Sequence, residues 1–525
     1  MNRLDTALER GAAHPRSCAL AAGAVAACGF EPLHLWPLTL LGVALLIELV
    51  GRAVSWKQAL LLGWLFGLGH FTIGDYWIAT AFTYQANMPA WLGPIAVVLL
   101  SLYLAVFPAL AALGAWFLRR NYAALVLGIA ACWIVSEWLR SWVFTGFAWN
   151  PLALAALGPF DRPGLAMVAP FLGTYALSGL VALLAGAWLI AAKRGKADWR
   201  GALLVMLPIA LTLLPSSAPG PNGTLAYTLV QPDIRQEALD DPVEWPVQFR
   251  NLALLSSPAT VQAVPRLVLW PESGVPDYLQ DGLPADYYAD TTYAASPVLA
   301  RWRLGRAIGG GSLLLTGAVR LEVRDGEAIG ARNTITAIDS AGTLRGIYAK
   351  AHLVPYGEYL PVRDLLEPLG LSRLVPGSVD FWPGPGPRTL DLGQWGKAGM
   401  QICYEIVFSG QVVDRRNRPD FIFNPSNDGW FGSWGPPQHL AQARLRAIEE
   451  GLPVLRATTT GISAVIGPDG IVRQFIPRHR AGRLDGLIPA ALPPTLFARL
   501  GNVLPLGWAA VLLVLTLVAM RRRGE

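Results

Sequence analysis

Three short segments carry residues whose types suit acyl transfer. Arg266-Leu-Val-Leu-Trp-Pro-Glu272 ends a strand-like run on a carboxylate. Tyr348-Ala-Lys350-Ala-His352-Leu-Val-Pro-Tyr-Gly-Glu358 carries an amine, an imidazole and a second carboxylate, and Ala398-Gly-Met-Gln-Ile-Cys403-Tyr404-Glu405 delivers a thiol. A cysteine attacks a carbonyl as its thiolate, so a base must take the proton and a donor must stabilise the oxygen that becomes negative. Glu, Lys and Cys at the ends of separate segments supply base, cation and nucleophile. Each residue alone also has a plainer account, since an isolated Glu or Lys is commonly a solvated or ion-paired surface residue and a lone Cys after an apolar run is commonly a buried hydrophobe. His352 would complete a Cys/His pair only if it lay beside Cys403, and nothing in the spacing puts it there.

Something must hold these segments, and the composition points to a membrane. The chain has 525 residues, 53% hydrophobic and only 15% charged, too long for a single core. Apolar runs long enough to cross about 30 Å of hydrocarbon lie at 16–30, 34–50, 58–80, 91–118, 122–143, 164–192, 199–215 and 503–520, a count of eight spans. The net charge of +6 is not a nucleic-acid stripe, because its Lys and Arg sit in short segments between these runs. Arg3, Arg10 and Arg16 precede the first run, Arg52 and Lys57 follow the second, Arg119 and Arg120 the fourth, Lys193, Arg194 and Lys196 the sixth, and Arg521 to Arg523 the last. Basic loops stay cytoplasmic, so the long polar stretch from 216 to 500 is expected on the opposite side. A signal peptide is the other reading of the first run, but its removal would put the next basic loop on the wrong side.

The polar stretch opens at a Pro-Ser-Ser-Ala-Pro-Gly-Pro-Asn-Gly linker, and Cys403 is its only cysteine. Across a compartment boundary where paired thiols oxidise, a single retained thiol implies chemistry; Cys18, Cys28 and Cys132 fall in apolar runs and are expected to pack as small hydrophobes. Strands are expected at 224–230, 266–270, 312–319, 333–338, 397–403, 421–423, 454–458 and 463–466, and a helix at 439–450, giving a layered α/β domain. Leu360–Phe381, rich in leucine without helical regularity, and Trp430-Phe431-Gly-Ser-Trp434 read as membrane-dipping arms. In the apolar part, Glu137 and Arg140 are spaced to pair on one helix, and His70 and Asp75 read as structural polar residues near span ends. No metal-ligand spacing or phosphate-cradling glycine loop occurs, so neither a metal nor another cofactor is expected.

Taken together, the three segments resemble the Glu-Lys-Cys triad of the nitrilase, or carbon-nitrogen hydrolase, superfamily. Phe30-Glu-Pro-Leu-His-Leu-Trp-Pro-Leu38, Gly63-Trp-Leu-Phe-Gly-Leu-Gly-His-Phe71, Glu137-Trp-Leu-Arg-Ser-Trp142 and Asn427-Asp-Gly-Trp-Phe-Gly432 through Gln438-His439 extend the similarity to the bacterial apolipoprotein N-acyltransferases over nearly the whole chain. The resemblance implies an α-helical bundle at 1–215, an extracytoplasmic αββα sandwich at 216–495, and a last span with a basic tail at 496–525. It further implies a monomer in the inner membrane that moves an acyl chain from a phospholipid, typically phosphatidylethanolamine, through a Cys403 thioester to the α-amine of a diacylated apolipoprotein. Glu272 then matches the general base, Lys350 the oxyanion cation and Glu358 the supporting glutamate. Tyr404 and Glu405 match the positions after the nucleophile; Trp430, Phe431 and Trp434, from the aromatic arm read above, are expected at a lipid entrance. A tethered amidase and a non-catalytic lipid-binding protein are the rival readings. One departure stands out: after Gln231-Pro-Asp-Ile-Arg-Gln236, Leu239-Asp240 occupies the place of the family's Lys-Trp, with Trp245 the nearest tryptophan.

Overall fold

The computed structural model describes residues 14–84, 89–194, 220–257, 265–369 and 379–521. The chain divides into two compact units, one comprising residues 1–79, 91–217 and 495–525, the other residues 80–90 and 218–494.

The first unit is helical. Among the described residues, Leu92–Phe117, Tyr122–Arg140, Leu165–Lys193 and Val503–Arg521 are long and apolar enough to cross a membrane. The count of eight spans is therefore supported at four. The runs at 16–30 and 34–50 form helices of only 13 and 17 residues, Pro15–Ala27 and Trp36–Arg52, each begun by a proline in its first turn. At 1.5 Å per residue the shorter reaches about 20 Å. Trp56–Gly74 has 19 residues, but Lys57, Gln58 and His70 dilute its apolar character. The run at 199–215 lies outside the described residues. Glu137 and Arg140 do not form the expected ion pair. Arg140 donates to the Trp149 carbonyl (2.7 Å), while Glu137 accepts from the Trp133 indole (3.0 Å) and Leu152 N (2.8 Å). Both satisfy the irregular 149–152 backbone inside the bundle, where an unmade main-chain bond is costly.

The second unit is a sandwich of two six-stranded sheets. One runs β12-β1-β2-β3-β4-β5 and the other β11-β10-β9-β8-β7-β6. The strands are β1 (Asn222–Gln231), β2 (Arg266–Leu269), β3 (Ser312–Arg324), β4 (Glu327–Asp339), β5 (Leu344–Ala349), β6 (Thr389–Asp391), β7 (Lys397–Met400), β8 (Phe421–Ser426), β9 (Val454–Thr458), β10 (Ser463–Ile466), β11 (Val472–Ile476) and β12 (Gly482–Pro489). Two-residue alternation decides which side chains meet. Leu267, Leu269, Leu313, Leu315, Ile335 and Ala337 of the first sheet face Ala398, Met400, Phe421, Phe423 and Leu455 of the second in one buried core. The intervening residues Val268, Leu314 and Ile338 face the other way, onto Leu252, Ala300, Leu304 and Ile308 of the helices Trp245–Ser256 and Pro297–Ile308. Helix Gly435–Glu450, buried along nearly all its length, packs beside β9.

Every expected strand is present. Missing from the sequence reading are β5, β6, β11 and β12. Arg-Gln-Phe in β11 and Asp-Gly in β12 break the apolar alternation, because these are exposed or edge strands whose outward face is polar. The strand expected at 397–403 stops at Met400, and the thiol enters a single 3-10 turn, Cys403–Val407.

Candidate active site

Each candidate side chain leaves the C-terminal end of a strand or the loop just beyond it. β1, β2 and β3 are mutually parallel, as are β7, β8 and β9, so the loops after β7 and β8 open at one end of their sheet, and a hydrogen bond from Asn427 N to Glu272 joins that end to the loop after β2. Glu272 lies three residues beyond Leu269, Lys350 directly follows Ala349 of β5, and Cys403 stands three residues after Met400.

Glu272 is placed by a close backbone approach. Gly317 N donates to Pro271 O and Gly317 O accepts from Val275 N, both at 3.2 Å. A Cβ on residue 317 would lie 2.5 Å from Ser273 N and 2.8 Å from Glu272 Cα. Gly317→Ala is therefore expected to push the Glu272 loop off β3, at about 1–3 kcal/mol of stability and with activity falling more than stability. Thermal denaturation together with an acyl-transfer assay checks it; a variant with wild-type activity would show that the approach is not needed.

The carboxylates and the amine form one buried set. Lys350, Glu272 and Glu358 are 2%, 5% and 5% exposed. Lys350 Nζ lies 3.0 Å from Glu358 Oε2 and 3.4 Å from Glu272 Oε1. Asn333 Nδ2 bridges the same two carboxylates at 2.7 and 3.0 Å. Asn427 N donates to the other Glu272 oxygen (2.7 Å), and Val354 N to Glu358 Oε2 (2.8 Å). Burial alone would lower the Lys350 pKa, but the adjoining Glu358 and Glu272 carboxylates outweigh it and hold the ammonium charged.

Cys403 is 5% exposed and adopts φ 51°, a left-handed conformation unusual for a side chain larger than glycine. Burial, reinforced by the Glu272 carboxylate and opposed by the Lys350 ammonium, pushes its thiol well above the usual range. The resting group is thus a thiol, which needs a base. The His352 ring stacks on Phe408 with centroids 4.0 Å apart.

Glu405 fastens the two sheets together at the site. Its Oε1 accepts from the Tyr348 hydroxyl (2.8 Å), Ala351 N (2.7 Å) and His352 N (3.2 Å), and its Oε2 from Ile402 N (2.8 Å). The residue after Lys350 and the residue before Cys403 are therefore tied to one carboxylate. Burial pushes this carboxyl up to about 7 from the usual 4.5, with the Ile402 and Ala351 amides working against the shift. A raised folded-state value means that the unfolded chain loses its proton first, so this group's contribution to stability falls as pH rises from 4.5 to about 7. Glu405→Gln should flatten that part of the stability profile. It should also cost about 1–3 kcal/mol, because an amide cannot accept at both ends. Denaturation melts at pH 5 and 7.5 test this; an unchanged pH slope would argue against it.

Tyr404 packs edge-on to Phe408 with ring centroids 5.0 Å apart. Phe431 is partly buried against the inter-sheet core and meets the His439 ring, and Trp430 meets Tyr84 edge-on at 5.9 Å. Phe431 is thus anchored to the inter-sheet core. In the leucine-rich segment Val362 and Leu365 are exposed, whereas Leu371 and Leu374 lie outside the described residues. At the departure from the family pattern, Trp245 turns back and its indole donates to Leu239 O (3.2 Å).

Sequence reasoning missed the polar groups that hold the loops: Asn333, Asn424, Asp428, His439 and Arg456. The last two were legible only as members of a helix and a strand, while Asp428 and His439 lay inside a matching segment without a role. Among the described residues no cluster of His, Cys, Asp and Glu is arranged to hold a metal.

A Glu-Lys-Cys set at the strand ends of a two-sheet sandwich defines a carbon-nitrogen-hydrolase type of domain, here in one chain with apolar helices. The carbon-nitrogen hydrolase family matches residues 240–491, and the apolipoprotein N-acyltransferase N-terminal domain family matches residues 22–187. The apolipoprotein N-acyltransferases of Rhodopseudomonas palustris and Bradyrhizobium diazoefficiens are 35% and 36% identical to the chain, each over 96% of it and over 95% and 94% of their own lengths. The chain belongs to the apolipoprotein N-acyltransferase family. A solved mutant amidase of the nitrilase superfamily from Nesterenkonia is also similar, at 19% identity and a TM-score of 0.35, covering 54% of this chain and 96% of the amidase.

Proposed function

We propose that this membrane protein transfers an acyl chain from a phospholipid to the free α-amine of a diacylated apolipoprotein, with Cys403 as nucleophile. The observation that carries this reading is the Lys350 ammonium held between two buried carboxylates, Glu272 and Glu358, and sensed electrostatically by the Cys403 thiol. Glu272 takes the thiol proton as sulfur attacks the ester carbonyl. The tetrahedral oxyanion forms against Lys350, whose charge is fixed before the reaction and needs no reorganisation. Collapse expels the lysophospholipid oxygen, which takes the proton from Glu272, and leaves a thioester. The lipoprotein amine then attacks that thioester, gives its proton to Glu272, and the thiol is restored. Glu358 keeps Lys350 charged and in place, Glu405 spaces the two sheets, and Tyr404 supports the turn.

The finer reading places eight spans in the inner membrane with the catalytic unit on the periplasmic side, takes phosphatidylethanolamine as donor and describes a monomer. The basic loops and the family membership support it. The test is the intact mass of the purified protein after phosphatidylethanolamine, then after a diacylated lipopeptide. One acyl group should appear and move to the peptide; release as free fatty acid despite the amine would make the protein a hydrolase.

Trp430, Trp434 and the leucine-rich arm are the lipid entrance in this reading. Substituting Trp434 and Leu365, the latter 65% exposed, by serine should lower transfer from bilayer lipid about ten-fold or more while sparing a detergent-soluble ester, since the arm's apolar area meets only lipid. Equal loss on both substrates would count against an entrance role.

A further inference from the structure

The backbone of the candidate nucleophile is held from behind by a buried polar group that the reaction itself does not use. His439 Nε2 lies 3.0 Å from the main-chain carbonyl of Cys403. A carbonyl only accepts, so Nε2 carries the proton and the tautomer is fixed. Arg456 Nη2 is the common donor on the other side of the ring. It reaches His439 Nδ1 at 3.0 Å and the Asp428 oxygens at 2.8 and 2.7 Å, while Asp428 Oδ1 stands 3.1 Å from the same Nδ1. His439 and Arg456 are wholly buried and Asp428 is 2% exposed. Burial and the Arg456 guanidinium lower the imidazole pKa, and the opposing pull of the Asp428 carboxylate and the Cys403 carbonyl offsets them only in part. The ring is therefore neutral, with Nδ1 accepting from Arg456 and Nε2–H donating to Cys403.

The same helix holds the rest of the nucleophile turn. Three residues on one face of Gly435–Glu450 act on it: His439 at Cys403 O, Arg446 Nη1 at Val407 O (3.1 Å), and Glu449 at the Ser409 hydroxyl (2.9 Å). Asn424 Nδ2 donates to Gln401 O, two residues before the nucleophile, at 2.6 Å and reaches Cys403 O only at 3.5 Å, and Arg456 Nη1 orients that Asn through its Oδ1. A left-handed cysteine at φ 51° persists only where its surroundings hold it, and the His439 hydrogen bond acts on that residue directly.

We propose that His439, oriented by Arg456 and Asp428, is a positioning residue that pins the Cys403 carbonyl and so keeps the nucleophile in its left-handed conformation. It touches no substrate and moves no proton. Its contribution falls on the rate of thioester formation, because a shift of about 1 Å in a reacting atom can cost about 100-fold. The proposal rests on Cys403 being the nucleophile.

Two amide variants of the full-length protein separate positioning from mere filling of space. The Gln amide nitrogen reaches the place of Nε2, whereas the Asn amide reaches only the place of Nδ1. His439→Gln is expected to keep the rate of acyl-enzyme formation, read by intact mass with phosphatidylethanolamine vesicles, within about ten-fold of wild type. His439→Asn is expected to lose about 100-fold in that rate with the KM for lipid unchanged. Asp428→Asn, which weakens the orienting charge on Arg456, should show the same pattern in smaller degree and serves if His439→Asn fails to accumulate. Equal rates for the Gln and Asn variants, or a loss carried by KM, would overturn the positioning role while leaving the thioester intact. Absence of an acyl adduct on the wild-type protein would overturn the nucleophile assignment and this inference with it.

Discussion

Replacing Cys403 with alanine is expected to abolish acyl-enzyme formation, with transfer falling about 10⁴-fold or more, the scale seen when a covalent nucleophile is removed. Serine should do no better. Its hydroxyl is far less acidic than a thiol, and the site already works against ionisation: burial and the Glu272 carboxylate both disfavour the anion, with the Lys350 ammonium the main opposing charge. The fold should tolerate the change, because Cys403 contributes a small, buried side chain to the inter-sheet core. The decisive measurement is intact mass after phosphatidylethanolamine. An acyl adduct on the Cys403→Ala protein at wild-type yield would move the chemistry elsewhere. The remaining thiols, Cys18, Cys28 and Cys132, all belong to the helical unit.

Lys350→Met should be nearly as damaging, and for two separable reasons. The ammonium lies 3.0 and 3.4 Å from two carboxylates that are themselves about as buried as it is. Removing it leaves two like charges sharing the Asn333 amide, and breaking such a buried set costs about 3–5 kcal/mol. It also removes the charge facing the oxyanion, worth about 10²–10³-fold in rate. Substituting Glu358 by glutamine as well should recover part of the stability and none of the rate, since it relieves the carboxylate repulsion without restoring the cation. Thermal melts and single-turnover acylation on the single and double variants read both effects. A Lys350→Met protein that acylates within ten-fold of wild type would rule out the oxyanion role.

The parts of this architecture that rest on local pattern were legible in the sequence. Short β-prone apolar runs marked β1, β2, β3, β9 and β10, because strands covered on both faces read as near-continuous apolar runs. That signal failed for β11 and β12, where Phe475 and Leu487 point outward among polar neighbours. Length and hydropathy identified four long apolar helices among the described residues, and the other apolar runs there form shorter or more polar helices. The helix Pro15–Ala27 is too short to read as a full span by itself, and composition says nothing about where a helix ends.

By itself the sequence determined which chemistry was available. Glu272 and Cys403 stand out because each closes a strand-like run, and a strand end is where a side chain leaves the sheet for an open edge; Lys350 stands out by sharing one short segment with Glu358. It also determined family membership, through segments spread over nearly the whole chain. Only the tertiary structure decided how those groups are charged and held. The Glu358–Lys350–Glu272 set, the Glu405 tie between the sheets and the His439 contact to the Cys403 carbonyl join residues 8 to 78 positions apart. No local pattern encodes such pairings. They follow from which loops two packed sheets bring to one end, and from the cost of burying a charge that has no partner.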